Sequence, residues 1–239
     1  MEQPWSSIPK TFYDQVTDCL TEAPGILERV APLWHLSATQ QLDLVYELVH
    51  ECRHIDERLA IIHDEMLRAA PDPLYWSIPS DFTLIFGSDN PVTFPVIYWF
   101  SDLHCAATLI LLWATRTMIW TGLYNLYSHV DNIMATKGSV FEAYETMAPQ
   151  ISGVEVVNPL PPLDRCTDIL SMAHRVCRSV EFFLRDDMLL AGPLSIIPAL
   201  GIVIDALKNQ PSHAPEVAWL QEALEVVRQK GIRSLEHVK

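Results

Sequence analysis

A chain of 239 residues that is 49 % apolar and holds only eight glycines can bury a sizeable core, which excludes a disordered chain and points to one ordered, all-α domain. A formal net charge of −14 repels a polyanion at long range, so direct contact with nucleic acid is not expected. Five scattered cysteines without a C-x-x-C pair form neither a disulfide framework nor a zinc ribbon, and "MEQPWSSIPKTFYDQ" is no secretory leader, so an intracellular place, cytoplasmic or nuclear, is expected.

In chain order, residues 1–38 read as an irregular N-terminal segment punctuated by Pro4, Pro9, Pro24 and Pro32, with a short helix near residues 11–20, ahead of a helical core over residues 39–239. Ser37 or Thr39 is placed to cap a long helix that runs toward Arg68 and stops at "PDP", residues 71–73. Val45, Leu48, Cys52, Ile55, Leu59, Ile62 and Met66 recur at spacings of three and four, an apolar stripe at helical period.

The same helix carries His50-Glu51-Cys52-Arg53-His54, which reads as the H-E-x-x-H signature of zinc peptidases. Two His four residues apart share a helix face and can reach one zinc while the Glu polarises a bound water. At about 100° per residue, however, His50 falls nearly opposite the apolar stripe and His54 well away from it, both toward water. Arg53 lies between them, a cation beside a would-be dication, and no third ligand follows at metzincin spacing. The motif reads as a solvated polar face, and no metal or other cofactor is expected.

Pro79, Gly87, Pro91 and Pro95 make the stretch from residue 74 to 95 an expected irregular loop held down by its aromatics. A long apolar helix is then predicted over residues 96–128; Arg116 in its middle argues against a membrane span. Its polar residues stand out. Asp102, His104 and Arg116 are the candidate catalytic groups, and Trp99, Trp113, Trp120, Tyr124, Asn125 and His129 are the candidate ligand-binding wall for an apolar small molecule. Arg116 lies between Trp113 three residues before and Trp120 four residues after, where a guanidinium can stack on indole while its head meets a ligand anion or a buried carboxylate such as Asp102. His104 has the pKa for acid or base work, and a hydrogen-bonded structural role is its alternative.

Signals weaken between residues 141 and 163, and "NPLPPLD" leads into a helix over residues 164–184 with Asp164 as its cap. Pro193 and Pro198 are expected to interrupt the next apolar segment. A last helix starts at Pro215, repeats apolar residues at Val217, Leu220, Leu224 and Val227, and stops at Gly231. No segment has good period-2 support for a strand, and no repeat or linker divides the chain.

Three stretches carry a resemblance: "FSDLHCAATLILLWATRTMIWTGLYNLY", "AHRVCRSVEFFLRDDMLLAGPLSIIPALGIV" and "EVAWLQEALEVVRQKGIRSLE". Over residues 40–236 the chain resembles the helical regulatory domain that follows the DNA-binding cluster in fungal binuclear zinc-cluster transcription factors. It departs from them in lacking the six closely spaced cysteines of that cluster. The resemblance implies an all-helical fold and a ligand-responsive or protein-contacting role without DNA recognition, with a second copy or another protein as a partner it allows. The alternative expectation is an enzyme of fungal specialised metabolism, a cyclase or isomerase working without cofactor in an aromatic-lined helical pocket.

Overall fold

Thr11 accepts a hydrogen bond from the Asp14 amide while the Asp14 carboxylate reaches back to the Thr11 amide, and this capping box starts the first helix. In the computed structural model, which describes residues 9–80, 94–145 and 160–230, helix α1 (Phe12–Val30) continues well beyond the short helix expected there and passes through Pro24. Its buried stripe of Val16, Cys19 and Ala23 holds it on the core despite the hydrogen bond that Pro24 cannot donate.

Helix α2 (Ala38–Ala69) begins at Ser37, again with a capping box, here closed by Gln40. All seven residues of its predicted stripe are buried. The segment after it differs from expectation: Tyr75–Pro79 (β1) pairs antiparallel with Val96–Phe100 (β2), setting Trp76 opposite Trp99 and Ser77 opposite Tyr98. "VIYWF" is β-branched and aromatic throughout, which suits a pleated, half-buried ribbon better than the first turns of a helix.

Helix α3 (Leu103–Glu145) therefore starts after residue 102 and runs past the predicted end at 128. Asp102 supplies its cap, the carboxylate accepting from the Cys105 amide at 2.8 Å. Helix α4 (Ile169–Phe183) is capped by Asp168 rather than Asp164, which instead opens a 3-10 turn, Asp164–Thr167, at φ 47°. Helix α5 (Ala191–Leu207) runs through both prolines: Pro193 falls in the first turn, where no amide partner is needed, and Pro198 faces solvent. Helix α6 (Ala214–Gln229) closes the order, and the expected stop at Gly231 lies outside the described residues.

The described chain is a compact, mostly α domain. α3 is its axis, packed by α1, α2, α4 and α5, with α6 laid on α5 and the β-ribbon against α4. The stretch Leu103–Ala135 is long and apolar enough to cross a membrane, and 78 % of its apolar window is covered by the rest of the fold. Trp113, Trp219, Phe100, Phe182 and Phe183 fill the centre.

Candidate functional site

The residues picked out from the sequence do not form one wall. Trp113 and Trp120 are buried inside, Trp99 sits half-buried on β2 under the Arg185 guanidinium at 4.2 Å, and Tyr124 and Asn125 face solvent. His129 is tied to the start of α2 through the Gln41 side chain at 3.0 Å and takes the edge of Trp34. Two separate places collect the rest.

The first is a buried charged junction. Arg116 is 9 % exposed and does not meet Asp102; its partner is Asp56, itself 4 % exposed, on α2. Arg116 Nε lies 3.2 Å from Asp56 Oδ1, off the line of a directed hydrogen bond, so this contact is an ion pair. Trp120 Nε1 donates to the same oxygen at 2.9 Å, and Arg165 from the 3-10 turn donates to Oδ2 at 2.8 Å. One carboxylate thus joins α2, α3 and the approach to α4. Burial pulls the Arg116 guanidinium below its ordinary pKa, opposed by Asp56 and assisted by Arg165. Nearby, burial above all, then the charges of Arg116 and Arg175, push His63 down and favour its neutral form.

Asp56 was missed from sequence although a signal existed. It stands four residues after Cys52 and three before Leu59, on the flank of the stripe, where a carboxylate requires a partner. Arg53 of the H-E-x-x-H match is structural too: its Nη2 donates to the Pro161 carbonyl at 3.1 Å and to that of Pro162, and Tyr127 also donates to Pro161. His50 and His54 are exposed, and no group of three metal-ligating side chains is found among the described residues.

The second place is a partly open cavity of about 270 Å³ between the start of α1, the end of α2 and the start of α3. Phe12, Met66 and Leu74 give it apolar walls, while Asp102, His104 and Cys105 stand at its rim. Asp102 is engaged as the cap of α3, and its other oxygen accepts from Ser101 at 3.1 Å. His104 is exposed, its ring 6.2 Å from that of Tyr13. Cys105 Sγ approaches the Leu74 carbonyl at 3.5 Å, and burial, followed by the Asp102 charge, raises its thiol pKa, the reverse of what an activated nucleophile requires.

Chemically, the junction can hold charge and register, whereas the cavity can take a small apolar body beside one carboxylate and one imidazole. No model of a protein family, no curated protein and no solved structure matches this chain.

Proposed function

We propose that the domain is a small-molecule-binding regulatory module, related to the ligand-responsive helical domain of fungal zinc-cluster transcription factors and acting within the cell without direct contact to DNA. The observation that carries this reading is the cavity beneath Asp102 and His104: its volume of about 270 Å³ stands near the lower end of ligand sites, and its walls are apolar with few polar groups. Its ligand is a small apolar molecule. The net charge of −14 supports the absence of nucleic-acid contact, and the coverage of α3 supports its reading as a core helix rather than a membrane span.

An enzyme of the cyclase or isomerase kind draws less support from the geometry, because Asp102 is engaged as a helix cap, His104 faces solvent and the tryptophans are dispersed through the core. The test is thermal melting with geraniol as an apolar probe, on the unmodified protein and on Ala70→Trp, which fills the cavity from its wall. Geraniol is expected to raise the melting temperature of the first and not of the second. A response that is absent from both, or equal in both, removes the cavity as the ligand site.

A further inference from the structure

The cavity beneath Asp102 and His104 is polar in one sense only. Every hydroxyl or thiol proton among its lining side chains is already spent on the protein itself. Thr108 donates to the His104 carbonyl at 2.8 Å, Ser101 to Asp102 Oδ2 at 3.1 Å, and the Cys105 thiol to the Leu74 carbonyl at 3.5 Å. What these groups still present is lone pairs. His104 alone among the lining side chains has a ring proton to offer, and it faces solvent.

Charge points the same way. Among the described residues that line the cavity there is no Lys or Arg, and Asp102 carries the one full charge. Its carboxylate accepts one bond at each oxygen, from the Cys105 amide at 2.8 Å and from Ser101, so each oxygen keeps a lone pair for a further donor. The bond to Cys105 already sets a negative charge against the positive end of α3, which weakens the pull of that helix end on a ligand anion. Asp14, two residues after the wall residue Phe12, lies within electrostatic reach of His104 on the same rim and adds a second carboxylate, while Lys10 is held by Asp18. The net charge of −14 further concentrates cations at this surface.

We propose that the ligand of this cavity is a small primary amine in its ammonium form, its hydrocarbon body lying against Phe12, Met66 and Leu74 and its ammonium donating to Asp102 at the rim. The proposal rests on the cavity being the ligand site and adds the head group that the site selects. An ammonium brings three donors and no acceptor, the complement of a lining whose side chains offer acceptors and no spare donor below the rim. A carboxylate on the same body meets lone pairs with lone pairs, and an alcohol has a single proton to give. Asp102 is exposed, so its pairing with an ammonium is worth little in water, and the resulting preference for the amine is about three- to fivefold.

Geraniol, geranylamine and geranic acid share one hydrocarbon skeleton and differ in head group, so calorimetric titration of the full chain isolates that choice. Geranylamine is expected to bind about three- to fivefold more tightly than geraniol, and geranic acid more weakly than either. Asp102→Asn removes the charge and keeps a good helix cap; it should bring the amine to within about twofold of the alcohol while geraniol itself binds as before. A second measurement needs no variant: in the unmodified protein, salt at about 0.5 M should narrow the gap by about half, because it screens an exposed pair. Equal affinity for amine and alcohol, geranic acid binding as tightly as geraniol, or a preference unmoved by Asp102→Asn or by salt overturns the head-group assignment and leaves the cavity standing. Binding of none of the three, or binding undiminished in Ala70→Trp, removes the cavity and this inference with it.

Discussion

Asp56→Ala is the most informative perturbation of this fold, because one carboxylate serves three partners. Its loss leaves Arg116, 9 % exposed, with no counter-charge and deprives the Trp120 N–H of its acceptor. Breaking a buried pair in this manner costs about 3 to 5 kcal/mol, a large share of the 5 to 15 kcal/mol or so that holds an ordinary domain together. Arg116→Met is the milder change: Asp56 then keeps Arg165 at 2.8 Å and Trp120 at 2.9 Å, so the stranded charge is still partly answered and the loss should be about 1 to 3 kcal/mol. Arg165→Ala, with a side chain 55 % exposed and hydrated in either state, should cost about 0 to 1 kcal/mol. Urea unfolding of the three variants and of the Asp56→Ala/Arg116→Met pair measures all of this, provided the denaturant slope stays constant. The pair should lose less than the sum of its single changes. A loss in Arg116→Met that matches or exceeds that in Asp56→Ala would show that the carboxylate does not organise the junction and would refute the reasoning.

Other expectations follow from single contacts. A Cβ on Gly192 would lie 2.3 Å from the Phe183 carbonyl oxygen and 2.7 Å from Met188 Cβ, so Gly192→Ala should lose about 1 to 3 kcal/mol, whereas Gly201→Ala, with open space at the same place on α5, should gain about 0.5 to 1 kcal/mol; equal melting temperatures would contradict both. His63 is held below its ordinary pKa, so as pH falls through about 6.5 the unfolded chain takes up the proton first and stability declines; His63→Gln should flatten that decline in urea midpoints between pH 7.5 and 5.5, and an unchanged slope would count against it. Burial pushes the Cys52 thiol up to about 12 and raises Cys177 as well, so both should resist a thiol reagent until unfolding while half-buried Cys105 reacts first; modification of Cys52 as fast as Cys105 would argue otherwise. Arg53→Met should speed amide exchange around residues 163–168, and His54→Ala should leave both exchange and stability unaltered; the reverse ranking would return the H-E-x-x-H match to consideration.

The all-α character was legible because α2 and α6 carry one-sided stripes: Val45 through Met66 is buried as its spacing requires, and Leu220 and Val227 of α6 likewise. The cap of α2 was legible only as Ser37 or Thr39, and the structure selects Ser37. What escaped was non-local. "VIYWF" runs straight into an apolar helix, and its pairing partner lies about twenty residues earlier, so nothing within the window distinguished a strand. α3 is apolar on every side, so its periodicity could not tell that Trp113 points inward and Tyr124, 48 % exposed, outward. Arg116 was recognised as needing either a carboxylate or a ligand, but choosing Asp56, sixty positions away, over nearby Asp102 depends on how α2 docks. Asp102 is already committed to the Cys105 amide at the start of α3.

The buried threonines of α3 bear on how this helix finds its place. Thr115, Thr117 and Thr121 each donate to the carbonyl four residues back, at 2.8 to 2.9 Å, and so direct their polarity into their own helix. Hydrocarbon contact has no preferred direction, and a cylinder of leucine, isoleucine and alanine can be turned or slid against its neighbours with small change in the area it covers. Along this stretch the Asp56 carboxylate, gripping Trp120 and Arg116 one turn apart, acts as an alignment pin that selects one rotation and one height for α3. An all-hydrocarbon substitute for the pin, with leucine and methionine of matching volume, could melt no lower than the natural protein and yet populate several neighbouring settings of the helix. The uniqueness of the arrangement, more than its depth, is what that carboxylate secures.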